Sequence, residues 1–227
     1  MADREAFLRN IRSRLHNRAV PQEEYRPTHA PDVAWTRTAG HGAEAEIEDP
    51  PARFLEELRA LGGHGERVAD LDHAREYVVA LARDRAAELL LRWDDSYLEE
   101  LGADAALAEA GIEVAVWRDL ADFRDVASRA GIGLTTAEYA VAETGSVAIA
   151  SGPGRGRSVT LLPPAHVAVM PVERVVATVA EVIGLYAREE LPSNVCLHSG
   201  PSRSGDIEQS LAIGVHGPGD VHVLLVG

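Results

Sequence analysis

At 227 residues, with 46% hydrophobic and 26% charged side chains, the chain has a globular composition and room for one sizeable domain with an appendage rather than two full domains. Its formal net charge of −14, from 36 acidic against 22 basic residues, runs opposite to the basic face that nucleic-acid binding requires. All basic side chains are arginine, which excludes Schiff-base, phosphate-loop-lysine and lysine general-base chemistry, and the single Cys196 leaves no internal disulfide and too few thiolates for an iron–sulfur cluster held by one chain.

No apolar run approaches the ~20 residues needed to span a bilayer. The opening Met1-Ala2-Asp3-Arg4-Glu5 leads into an amphipathic pattern, not the basic start and apolar core of a secretory signal, so a cytoplasmic location is expected. Phe7, Leu8, Ile11 and Leu15 then recur at helical spacing behind Asp3. From Arg18 to Pro51 the periodicity vanishes and Pro21, Pro27, Pro31, Pro50 and Pro51 punctuate an extended arm anchored only by Trp35 and Ile47. The arm reads either as a linker or as a strap across a second copy in a homo-oligomer. The expected division is therefore 1–50, an N-terminal helix and proline-rich arm, and 51–227, an α/β domain.

Within that domain, Phe54, Leu58 and Leu61 mark a helix ending at Gly62-Gly63, and Ala74, Tyr77, Val78 and Leu81 mark another beginning after Asp72. Glu88–Trp93 and Ile112–Trp117 are strand-length apolar runs separated by a helix around Ala105–Ala110 that Gly111 terminates. This alternation predicts βαβ units and a parallel sheet. Ser146–Ala150 and Ser158–Leu162 read as strands whose link carries Arg155 and Arg157 and is too short for a crossover helix, predicting an antiparallel hairpin with a mobile tip. A strand at His166–Met170 follows, then a helix through Val172, Val175, Val176, Val179, Ile183 and Tyr186, a strand at Asn194–His198, a helix around Asp206–Ala212 and a last strand at Val221–Val226. The fold class is α/β: a mostly parallel sheet flanked by helices with an antiparallel hairpin.

Two segments carry groups suited to ligand binding. In Ala142-Glu143-Thr144-Gly145-Ser146, a carboxylate (the candidate catalytic group, Glu143), two hydroxyls and a permissive glycine meet at a strand junction; local satisfaction of backbone groups is the competing explanation. In Ser199-Gly200-Pro201-Ser202-Arg203-Ser204-Gly205-Asp206-Ile207-Glu208, small residues permit close backbone approach between a predicted strand and a predicted helix. There Arg203 is placed to clamp a carboxylate or phosphate at the helix N-terminus, unless Ser204 or Asp206 merely caps it and Arg203 pairs with Asp206 or Glu208. Asp206 and Glu208 are two apart on a helix, so at most one faces a site. His216-Gly217-Pro218-Gly219 is either a turn or the setting for an acid–base histidine. Gly131-Ile132-Gly133 lacks the third glycine of a dinucleotide fingerprint. Cys196, His166, His198, His216 and His222 lack paired ligand spacing, so no metal centre is expected and Cys196 is expected to be a buried, inert thiol.

Taken in order, Ala142–Ser146, Leu161-Leu162-Pro163-Pro164 with His166-Val167-Ala168-Val169, Ser199–Glu208 and His216-Gly217-Pro218 resemble the LUD-domain family, and most of all its lactate utilization protein C group. The opening Arg4-Glu5-Ala6-Phe7-Leu8 with Ile11 and Leu15 is similar to that group's first helix. The resemblance implies a fold like that of ribose-phosphate isomerase, glucosamine-phosphate deaminase and CoA-transferase enzymes. It further implies a clusterless subunit working beside iron–sulfur partner proteins in converting L-lactate to pyruvate. Carried over as candidate ligand contacts are Glu143, Thr144, Gly145, Ser146, Gly200, Ser202, Arg203, Ser204, Asp206, Glu208 and His216. No cofactor is assigned; a CoA- or nucleotide-like ligand is the candidate, and small anions suit the arginine. The alternatives are a stand-alone enzyme acting on an acyl, CoA or nucleotide substrate and a protein-interaction module.

Overall fold

The computed structural model describes residues 47–227 except 121, 188–191, 206–210 and 214–215; for 119, 203–205 and 211–213 it describes the backbone alone. The predicted N-terminal helix and nearly all of the arm, with Trp35, lie outside the described residues, whereas Ile47 packs against the core.

Six strands form an all-parallel sheet in the order β1 (His64–Val68), β12 (Asp220–Val226), β7 (Ala165–Pro171), β4 (Ile132–Thr135), β2 (Leu89–Arg92), β3 (Glu113–Val116). A second, mixed sheet runs β8 (Val175–Val176), β5 (Tyr139–Val141), β6 (Ser146–Ala150), β9 (Val195–His198), with β8 parallel to β5 and β6 antiparallel to β5 and β9. The α/β expectation of a mostly parallel sheet with antiparallel pairing therefore holds. Central strands β2, β4 and β7 are almost wholly buried, as continuous apolar runs in parallel sheets usually are.

The helices start where their caps dictate. Asp49 accepts from the Ala52 amide at 3.1 Å to open α1 (Pro50–Ala60), with proline in the first turn where its missing N–H costs nothing. Asp70, rather than Asp72, opens α2 (Leu71–Asp84) by accepting from the His73 amide at 3.0 Å. Asp95 and Asp122 do the same for α3 (Ser96–Leu101) and α5 (Phe123–Arg129), while α4 (Ala103–Glu109) follows Gly102 directly. Helix α1 buries Phe54, Leu55 and Leu58, worth about 1.5–3 kcal/mol apiece, and packs against β1, β5 and β8, so it touches both sheets. Helix α2 packs on β1 and β12. Among the described residues no helix is long and apolar enough to cross a membrane.

Three expectations are corrected. Ser158–Leu161 is a short helix, α6, not a strand, and the antiparallel hairpin is instead β5–β6. Leu161 and Leu162 are exposed, and Pro163-Pro164 follow directly, so the apolar run is not a buried strand. The long helix predicted over Val172–Tyr186 is a 3₁₀ turn at Val172–Arg174, then β8, then α7 (Val179–Tyr186). β-Branched Val175 and Val176 take a parallel pairing with Ala140 and Val141, and Thr178 caps the helix that remains. Nor is the Arg155 segment a loose tip: its guanidinium reaches Asp95 and Glu138, each at 2.6 Å, and lies 5.8 Å from the Trp93 ring centroid.

Gly133 sets how closely the helix α6 layer approaches the sheet, because a Cβ there would lie 1.8 Å from the Val159 carbonyl oxygen. Gly133→Ala should lower stability by about 3 kcal/mol, seen as a fall in the urea midpoint. An unchanged midpoint would show that α6 is free to shift.

Candidate functional site

Three segments distant in sequence converge at one end of the β6–β9 pair. Because Val147 pairs with His198, Ser146 and Ser199 are brought side by side, and their hydroxyl oxygens are 2.6 Å apart. The Ser202 amide donates to the Pro218 carbonyl at 2.9 Å, joining the second segment to the turn that follows His216. That turn is itself fixed, since the Gly219 and Asp220 amides both donate to the Pro164 carbonyl, at 3.0 and 3.2 Å.

The two glycines at this junction answer to α1. Gly145, at φ +59°, carries a position where a Cβ would sit 2.4 Å from the Leu58 amide nitrogen; at Gly200, φ +78°, it would sit 3.2 Å from the Leu61 Cβ. Leu58 lies on α1 and Leu61 is its C-cap residue, so the C-terminal end of one helix closes on both turns. The space beside Gly145 on its Cβ side is filled by helix backbone.

Glu143 is exposed, and its Oε1 accepts from the Val179 amide at 2.7 Å, adding a carboxylate to the Thr178 cap at the positive end of α7. Thr144 Oγ1 is buried without a hydrogen-bond partner. His216 is exposed. The backbone at Arg203–Gly205, including Ser204, forms β10, paired antiparallel with β11 (Leu211–Ile213). The helix expected around Asp206–Ala212 is thus a strand at Leu211–Ala212, in keeping with the alternation of Leu211 and Ile213 about Ala212. Asp206 and Glu208 lie outside the described residues.

The inter-sheet face of β7 holds a group that spacing alone did not single out. His166 is fully buried; its Nε2 lies 2.8 Å from Thr135 Oγ1, its Nδ1 has no hydrogen-bond partner, and its ring centroid is 5.7 Å from that of His198. Burial, reinforced by His198 and His222, pushes the His166 pKa down to about 3, and burial also lowers that of His198. Both rings are neutral at pH 7. The signal available in sequence was an ionisable residue inside the apolar run Ala165-His166-Val167-Ala168-Val169, where burial must be compensated. Cys196, two residues before His198, is exposed rather than buried, correcting the expectation; partial desolvation raises its thiol pKa.

Residues 51–226 match the LUD domain family. The chain is 33% identical over 153 residues to lactate utilization protein C of Halalkalibacterium halodurans, covering 65% of this chain and 66% of that protein. It is 36% identical over 136 residues to lactate utilization protein C of Shouchella clausii, covering 58% and 59%. With the protein of the same name from a Geobacillus species it shares 28% identity over 234 residues, covering 95% and 92%. The matches to the first two thus span 59–66% of those relatives' lengths. The fold is similar to the crystal structure of a DUF162 family protein from Deinococcus radiodurans, with a TM-score of 0.56 at 22% identity over 78% of this chain and 96% of that one.

The His166 environment fixes a pH dependence. Its folded pKa lies far below the ordinary 6.5, so the unfolded chain takes up the proton first and stability, full above pH 6.5, declines as the pH falls toward 3. His198 contributes with the same sign. The expected loss is on the order of 1 kcal/mol per pH unit between pH 6 and 4, read from urea midpoints. His166→Gln, which keeps a polar group toward Thr135, should flatten that slope; an identical slope in the variant would assign it to other groups.

Proposed function

Because the chain belongs to the LUD-domain family, we propose that it serves L-lactate utilization as a subunit that binds a small anionic ligand and works beside iron–sulfur proteins that carry the electrons. The relatives' name supports the metabolic role. The observation that carries the ligand-binding part is the meeting of three separate segments, with Ser146 against Ser199 at 2.6 Å and Ser202 tied to Pro218 at 2.9 Å.

In this reading the hydroxyls of Ser146, Ser199 and Ser202 offer rotatable donors, Thr144 adds a buried hydroxyl with unused capacity, and Arg203 supplies the positive charge that a carboxylate or phosphate needs. Electrostatics make the arginine necessary, since a chain of net charge −14 otherwise repels anions. Glu143 acts by holding α7 against the β5–β6 turn rather than as a nucleophile, because one of its oxygens already accepts from the Val179 amide. The electrons of lactate oxidation leave through partner proteins, as Cys196 alone offers no redox pair.

The purified chain should bind at least one of L-lactate, a CoA thioester or ATP in calorimetry, without turning any of them over. Arg203→Ala should weaken that binding at least tenfold, about 1.4 kcal/mol. Turnover by the chain alone would replace this reading with a stand-alone enzyme, and unaltered affinity would remove Arg203 from the site. Deleting the gene should abolish growth on L-lactate while sparing growth on glucose.

A further inference from the structure

His64, Asp220 and His222 gather on the face of the six-stranded sheet that α2 covers, opposite the face that holds His166. The topology puts them there. Strand β1 lies parallel to β12 with His64 paired to His222, and Asp220 precedes His222 by two residues and so shares its face. The two imidazoles stack with centroids 4.6 Å apart and planes 16° from parallel. His64 Nε2 lies 3.2 Å from Asp220 Oδ1, and His222 Nε2 lies 3.1 Å from Asp220 Oδ2. One ligand atom from each residue falls within 4.8 Å of the other two. A tetrahedral ion with bonds near 2.0–2.1 Å separates its ligand atoms by about 3.3 Å, so the cluster needs little movement to close on one.

A second observation concerns His222 alone. Its residue is only 4% exposed, and Nδ1 is held 2.8 Å from the Tyr77 hydroxyl, yet Nε2 makes no hydrogen bond. Its one near neighbour is Asp220 Oδ2, at an ion-pair distance of 3.1 Å. A buried polar atom left this way is costly unless something else occupies its lone pair. If Nδ1 donates to Tyr77, Nε2 is the bare, basic nitrogen a metal ion requires, and Tyr77 fixes the ring as outer partners of metal-bound histidines do. Arg85 holds Asp220 Oδ2 at 2.5 Å from outside, steadying the carboxylate and leaving Oδ1 toward His64. On its open side His64 borders a cleft of about 230 Å³ shared with Arg59, Glu66 and Tyr77.

We propose that this cluster binds a zinc-like divalent transition-metal ion through His64, Asp220 and His222, with one coordination position left open toward the cleft. Three protein ligands and an open position form the arrangement in which an ion presents a water or a substrate oxygen. His64 supplies the entry side, because it is exposed while His222 lies beneath it.

Zinc titrated into the metal-stripped full chain, in competition with a chromogenic chelator, should bind at one equivalent with submicromolar affinity. His64→Ala, at an exposed position, and His222→Gln, at a buried one, should each weaken zinc at least tenfold. His73→Ala, at an exposed histidine on α2, should leave it unchanged. X-ray absorption of the zinc-loaded chain should count two imidazole ligands. Absence of stoichiometric uptake, or uptake of equal affinity in His64→Ala, overturns the site. Should His222→Gln fail to fold, Asp220→Asn takes its place, with the same weakening expected and unchanged affinity again decisive against the proposal.

Discussion

The parallel pairing of β7 with β12 runs through seven residue pairs, Ala165–Pro171 against Asp220–Val226, and the remaining architecture depends on it. Both strands are buried on both faces, so their side chains must alternate between two different surroundings. Val221 pairs with His166, which sends His166 toward the second sheet and His222 toward α2. Two adjacent strands of one sheet thereby supply a histidine to each side of the molecule. Each is almost free of solvent, and each leaves one ring nitrogen without a hydrogen bond. A one-residue slip of register would exchange every side chain between the two faces, so apolar burial fixes the placement of both rings.

Helix α1 performs a comparable service for the segments that carry the family resemblance. Leu58 and Leu61 press against Gly145 and Gly200; a side chain at Gly145 would collide with the helix backbone, and one at Gly200 would crowd Leu61. The glycines therefore serve close packing, and the hydroxyls beside them, Ser146 and Ser199, are held in register by strand pairing. Capping by Glu143 brings the start of α7 to the same turn. Strand pairing, helix packing and capping act on one small region and so fix the shape of the candidate site.

Much of this could be read from sequence where the chain repeats a pattern over several turns or bounds it with a clear stop. The apolar faces of α1 and α2, the runs behind β2, β3, β7 and β12, and the glycine that ends α4 were legible for that reason. Short elements were not: four residues from Ser158 satisfy a strand pattern and a helical turn equally well, and Pro163-Pro164 decide the matter from outside the run. Val172–Val176 carry helical spacing, yet β-branching and a partner strand take them into extended structure. At Arg203 the sequence offered turn residues that suit a helix cap and a hairpin alike. The three segments of the candidate site were found because each joins special residue types. His64 went unnoticed because its partner, His222, is 158 positions away and only the parallel register of β1 on β12 unites them.

Cys196 lies on β9, the edge strand of the mixed sheet, two residues from His198 and three from Ser199. As the chain's sole thiol and an exposed one, it is a natural attachment point for a fluorophore or spin label that would sense what happens around those serines without any engineered substitution. Its raised pKa keeps it mostly protonated at neutral pH, so alkylation calls for mildly alkaline buffer, and the same property slows attack by peroxide.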